Sequence, residues 1–235
     1  NPELIITLIA GYYLLAIIVR LVRSPGLEID ESQAALSQFF QWGYGSQPPI
    51  YDWLQLGLAR IFGMSIATLS ILKNTILFLC CLFIWLTTRL LTGDRFLSGA
   101  AALGVLTLPP VFLMAQRDLT HSLLAILAVA LFLYTFFRTL QRPSLGAYLL
   151  AGIAVGLGTL SKYNFVLVPL AAILAVLPEK DLRARVLDWR MLAAIAVSAL
   201  IVLPHGLWVL NHIGLATGQT MGEMTEGHDG VSFHG

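Results

Sequence analysis

Asp30 and Glu31 stand side by side in an otherwise greasy chain, and a second acid, Asp118, follows Arg117 far downstream. His121 comes one helical turn after Asp118, and Lys162 and Tyr163 form part of a short polar break, "SKYN". A carboxylate held beside a hydroxyl can take its proton. A buried cation can neutralise charge that develops on a leaving group. Residues three apart share a helix face, so Asp118 and His121 can act together, or Asp118 can simply cap a helix. Two such residues do not define a metal site. Acid pairs can bind a divalent cation, but Asp30 and Glu31 point to different faces if that segment is helical. The metal stays open, and no cofactor is required.

These residues need a scaffold, and composition says which kind. Apolar residues make up 57% of the 235, and charged residues only 11%. Mean hydropathy is +0.81. A soluble domain carries about 25% charged residues. The expected fold is therefore all-α and integral to a membrane. A net charge of +1 gives no basic surface for nucleic acid. Cys80 and Cys81 are adjacent in an apolar run and read as packing residues. No cleavable leader is recognisable, and both ends read as cut. No GxSxG, CxxC, HExxH or P-loop pattern is present, so nothing supports a nucleotide-driven pump.

A bilayer core of about 30 Å needs about 20 helical residues. Spans are expected at 4–22, 66–91, 96–115, 121–137, 146–160, 164–178 and 191–210, in a single membrane domain covering 1–235. The run 145–177 is too long for one ordinary span. A hairpin turning at SKYN places Arg89, Arg95, Arg138, Arg142, Lys180, Arg183, Arg185 and Arg190 on one side, which the positive-inside rule makes cytoplasmic. A single long helix would flip the basic 179–190 loop outside. With the hairpin, the 23–65 loop, the Arg117-Asp118 turn, SKYN and the tail beyond 210 all face outward.

In that outer loop, residues 30–42 can form a helix lying flat on the membrane, with Leu36, Phe39 and Phe40 on one face. Asp30 with Gln33 also reads as a capping box. Gly43, Gly45 and Pro48 break the chain. Pro49 suits the first turn of a second helix over 50–62, closed by Gly63. Asp52 and Trp53 read as interfacial anchors. Lys73, roughly 10 Å inside its span at 1.5 Å per residue, reads first as snorkelling and second as lining a cavity. Lys162 is a functional candidate because ionisable residues at membrane depth are costly, or it too snorkels. His205 and His212 have no evident partner.

The acidic pair after the first span, "QPPIYDW", "RDLTHSLL" and "GLGTLSKYNFVLVPLA" together resemble bacterial membrane glycosyltransferases of the dolichyl-phosphate-mannose protein mannosyltransferase type. That group is glycosyltransferase family 39, with the GT-C fold, and includes aminoarabinose and galacturonic acid transferases. The resemblance runs in order from Leu4 to about Leu210, and such proteins are usually longer. It implies that Asp30 is the catalytic acid, with Glu31 beside it, and that Asp118 is a second acid. It implies substrate contacts at Gln47, Arg117, His121, Lys162 and Tyr163. Relatives often carry Lys or His before the Pro-Pro pair, facing a lipid phosphate. Gln47 brings no charge there, so Lys162 and Arg117 become the better candidates for it.

The expected function is transfer of a sugar from a polyprenyl-phosphate donor to a hydroxyl of a lipid, glycan or protein, by inverting displacement. Outside the cytoplasm nucleotide sugars are absent, so a lipid carrier is the sensible donor. The expected location is the inner membrane, multi-pass, with the site facing the periplasm. The rival class is a transporter or flippase with Lys73, Asp118 and Lys162 along a pathway. No internal repeat supports it, and the polar groups cluster at one surface.

Overall fold

The computed structural model describes residues 2–23, 38–109, 111, 115 and 120–216. Among them the protein is all helix and turn. In chain order the helices are α1 (Pro2–Arg23), α2 (Ile50–Phe62), α3 (Ile66–Thr92), α4 (Arg95–Leu106), α5 (His121–Gln141), α6 (Leu145–Thr159), a 3-10 turn (Tyr163–Val166), α7 (Leu167–Val176), α8 (Lys180–Val186) and α9 (Arg190–Asn211). Four are long and apolar enough to cross a bilayer: Leu4–Val22 within α1, α3, α5 and α9. The protein is an all-α membrane protein.

Local chemistry explains the helix ends. Ser65 accepts from the Thr68 amide at 3.2 Å. Asp94 accepts from Phe96 and Leu97 at 2.7 and 3.2 Å. Ser144 accepts from Ala147 at 3.2 Å. Each cap satisfies amides that the helix leaves open. Gly93 closes α3 with φ 69, a left-handed conformation that favours glycine. Within the apolar helices, Thr87, Thr88, Thr135, Thr139 and Thr159 return their hydroxyls to the carbonyl four residues back. They therefore carry no unmet polar group into the hydrocarbon.

α5 is the shared wall of the bundle. Leu123 and Leu124 join a core with Ile9 and Tyr13 of α1, Tyr51 of α2, and Leu72, Ile76, Leu77, Cys80 and Cys81 of α3. Further along α5, the four-residue stripe Ala128, Phe132, Phe136 and Leu140 joins Ala154, Phe165 and Val186. α6 lies tight against α9. A Cβ on Gly152 would come within 2.3 Å of the Ala194 carbonyl oxygen.

The chain reverses after α6. A Cβ on Gly158 would overlap the Phe165 ring at 2.2 Å, so glycine lets the returning arm fold back. Ser161 Oγ donates to the Gly158 carbonyl at 2.6 Å, and Lys162 is extended at φ −161. The return reaches the basic end, where Tyr148 Oη donates to the Arg185 carbonyl. Gln141 there donates to the Leu90 carbonyl, and Arg190 to that of Pro143. Arg190 also pairs with Asp188 at 2.7 Å, holding that carboxyl well down, at about 2.

Three expectations are corrected. α4 ends at Leu106, short of a span over 96–115: Thr107 turns back to donate to the Gly104 and Val105 carbonyls, and residues 110 and 112–114 lie outside the described residues. Residues 38–42 are irregular, so the expected 30–42 helix does not include them; 30–37 lie outside the described residues. Lys73 does not snorkel: it is 3% exposed, packed between helices with Asn74.

Gly152→Ala should lower the melting temperature of the full-length protein. Relief of glycine in a helix gains up to about 1 kcal/mol, whereas overpacking against backbone costs about 1–3 kcal/mol. Gly146→Ala, with open space at its Cβ, should not lower it. Equal behaviour of the two variants in a thermal melt would count against the α6–α9 contact.

Candidate active site

The end of the bundle opposite Arg89, Arg138 and Arg190 gathers polar groups from distant stretches. α2 starts directly after Pro48 and Pro49, both fully buried. The Ile50 amide donates to the Leu160 carbonyl at 3.3 Å, seating the start of α2 on the hairpin tip. Tyr51, Asp52, Gln55 and Leu56 form the buried face of α2. Asp52 lies in the first turn, where the helix dipole favours an anion.

The start of α5 meets this face. His121 Nε2 lies 3.9 Å from Asp52 Oδ2, with both side chains only 12% exposed. That is beyond a hydrogen bond, and it becomes an ion pair only with the imidazole protonated. The Tyr51 ring leans on His121 at 5.5 Å. His121 Nδ1 is buried and makes no hydrogen bond, although Pro48 presents its backbone nearby. On the next residue, Ser122 Oγ accepts from Lys162 Nζ at 2.9 Å. Lys162 is close enough for its charge to act on the His121 ring. An acid, an imidazole, a hydroxyl and an ammonium therefore follow one another across α2, α5 and the hairpin tip.

The loop before α2 forms the outer wall. Phe40, Trp42 and Trp53 pack ring to ring at 5.0–5.8 Å. Trp53 Nε1 donates to the Gln41 carbonyl at 2.7 Å. Tyr44 donates to the Phe39 carbonyl at 2.8 Å, and burial pushes its hydroxyl above the ordinary range, so it stays a donor. Tyr163 Oη meets His205 Nε2 at 3.0 Å, and His205 Nδ1 meets the Trp42 carbonyl at 2.7 Å.

Of the residues singled out in the sequence, His121, Lys162 and Tyr163 come to this end of the bundle. Gln47 is exposed, immediately before the buried prolines. Asp30, Glu31, Arg117 and Asp118 lie outside the described residues. Asp52 is not the interfacial anchor that its place beside Trp53 suggests: it is buried and faces His121. His205 and Ser122 were also missed. Among the described residues no three His, Cys, Asp or Glu side chains gather as a metal set.

Residues 46–208 match the family described as dolichyl-phosphate-mannose-protein mannosyltransferase. The chain belongs to that family. It is 46% identical over 223 residues to the lipopolysaccharide core galacturonosyltransferase RgtA of Rhizobium johnstonii, covering 94% of this chain and 45% of that protein. It is 43% identical over 226 residues to RgtB of the same organism and name, covering 96% and 46%. It is 28% identical over 214 residues to the lipid A galacturonosyltransferase RgtD, covering 90% and 44%. The chain thus spans about half the length of the curated relatives it matches. No solved structure matches. The matched segment contains Gln47, Asp52, Asp118, His121, Lys162 and His205; Asp30 and Glu31 precede it.

The Asp52–His121 contact can be weighed by a double-mutant cycle. In full-length protein, Asp52→Asn and His121→Gln should each destabilise, and together by less than their sum, with a coupling of about 1 kcal/mol. Strict additivity in thermal or denaturant unfolding would mean that the 3.9 Å approach carries no energy.

Proposed function

We propose that the protein takes part in transferring a sugar from a polyprenyl-phosphate donor to a hydroxyl of a cell-envelope glycolipid. The sugar is galacturonic acid, and the acceptor is lipopolysaccharide core or lipid A. This reading takes its sugar and acceptor from the names of the relatives. What supports it in the molecule is the meeting of Asp52, His121, Ser122 and Lys162 at one end of a membrane bundle, inside the segment that matches the family.

The chemistry is a single displacement. The acceptor oxygen bonds to the anomeric carbon as the bond from that carbon to the phosphate oxygen breaks. Polyprenyl phosphate leaves with the electron pair, and configuration inverts. A carboxylate takes the acceptor proton, and Asp30 is assigned that role, with Glu31 and Asp118 as the accompanying acids. Negative charge builds on the leaving phosphate, where a preplaced cation acts most strongly. Lys162, held by Ser122, is assigned that charge, aided by Arg117 and by hydrogen bonds from Gln47 and His121, with Tyr163 offering its exposed ring rather than its hydroxyl. The donor head group would sit on the face opposite the basic helix ends, which is the outer face of the inner membrane. A divalent cation is not required by this scheme.

Asp30→Asn should lower transfer by about 100-fold or more, with the protein still inserted in the membrane. Lys162→Met should cost about 100-fold, and Lys162→Arg much less. The assay is release of polyprenyl phosphate and gain of galacturonate on lipopolysaccharide by membranes carrying the full-length protein. Normal turnover by Asp30→Asn would remove Asp30 from the mechanism.

A further inference from the structure

His205 is buried to 2% exposure near the outer end of α9, directly after Pro204. No step above uses it, yet both of its ring nitrogens are engaged. Nδ1 lies 2.7 Å from the Trp42 carbonyl oxygen, and that oxygen can only accept. Nδ1 therefore carries the proton. In the neutral ring Nε2 then offers its lone pair, and Tyr163 must donate to it across 3.0 Å. One imidazole, in one tautomer, joins three stretches of chain: the 38–49 loop, the hairpin tip and α9.

Packing repeats the same connections. The Tyr163 ring stacks on His205 at 5.9 Å and 14°, and His205 on Trp208 at 5.9 Å and 13°. Trp208 in turn stacks on His212 at 4.8 Å and 13°. Residues 205 and 208 share a face of α9 at three-residue spacing, and His212, which caps the helix, continues it. Gly43 closes onto that stack, since a Cβ there would lie 2.2 Å from the Trp208 ring. The loop thus meets α9 at two consecutive residues, Trp42 by hydrogen bond and Gly43 by contact. Lys162 precedes Tyr163 directly, so whatever holds the Tyr163 hydroxyl also limits where the ammonium can sit.

We propose that His205 is a positioning residue, which sets the spacing between the Lys162–Tyr163 tip and the loop carrying Gln47 and Pro48. It touches no reacting atom. Its effect is on how well the site is assembled before the lipid phosphate arrives, so it acts on donor binding more than on the chemical step. This inference rests on the transfer reaction proposed above, with Lys162 facing the phosphate.

Three variants of the full-length protein in its membrane separate the two bonds. Tyr163→Phe removes only the hydroxyl, from a ring 43% exposed, and leaves the Trp42 bond. His205→Asn keeps an amide donor near the Nδ1 position and loses the acceptor. His205→Gln reaches the Nε2 position and loses the donor to Trp42. Tyr163→Phe and His205→Asn should each raise the donor KM about fivefold, the size of one neutral hydrogen bond, with kcat within about twofold. The double variant should be no worse than either single one. His205→Gln should speed amide hydrogen exchange in residues 38–49, and Tyr163→Phe should not. Additive effects, a fall in kcat at unchanged KM, or unaltered exchange in His205→Gln would overturn the proposal. If the wild-type protein transfers nothing from a polyprenyl-phosphate sugar, the reaction itself is wrong; if it does and Tyr163→Phe matches it, only the role of His205 is.

Discussion

The site depends on the chain turning back between Leu160 and Tyr163. Were 145–177 one continuous helix, Lys162 would sit in mid-membrane and the basic 179–190 stretch would move to the other surface. Gly158 makes the reversal sterically open, because a side chain there would occupy the space of the Phe165 ring. Ser161 then closes the tip on the Gly158 carbonyl, and Ile50 caps it by donating to Leu160. One glycine, one hydroxyl and one amide thereby bring Ile50, directly after the Pro-Pro pair, against the tip that carries Lys162, 112 residues further on.

The polar groups of this bundle fall into two kinds. The threonines satisfy themselves within their own helices and ask nothing of neighbours. Asp52, Lys73 and His205 are buried between elements and need partners from elsewhere in the chain. Ionisable groups at membrane depth are expensive, and such placement is kept where a site uses it. Asp52 and His205 each reach across the fold, to His121 and to Trp42 and Tyr163. Both lie at the end of the bundle where Lys162 stands.

Much of this was legible in the sequence for identifiable reasons. Hydropathy located the long helices, since a bilayer demands about 20 apolar residues. Charge asymmetry points to the reversal at SKYN, since only a hairpin keeps the basic stretches on one side. Pro49 and Gly63 bracket α2 because proline's fixed φ suits a helix start and glycine readily takes the positive φ found at its end. The misses share one cause: partners chosen by tertiary contact leave no local pattern. Asp52 sits beside Trp53 and looks interfacial, but its helix turns Asp52 inward and its neighbour towards the loop. Lys73 looked free to snorkel, yet packing around it closes the path to water. Phe39 and Phe40 follow Leu36 at helical spacing, but Tyr44 and Trp53 draw the backbone of 39–41 into hydrogen bonds that a helix would not make.

Gln47 gains a physical context from this arrangement. A neutral amide before Pro-Pro cannot offset a phosphate, so a site built there needs its charge from another element. The Ile50–Leu160 hydrogen bond brings the residues after Pro-Pro to the hairpin tip, and Lys162 is two residues past Leu160. Its hydrogen bond to Ser122 directs the ammonium towards the start of α5, beside the His121–Asp52 contact. A cation held by a neutral hydroxyl keeps its full charge for a ligand, which one paired directly with Asp52 would not. Moving the charge from the loop to the tip therefore also changes what must be kept rigid. The loop's contribution becomes its shape, set by its buried prolines and by contacts with α9, and the lysine's position becomes a property of the hairpin.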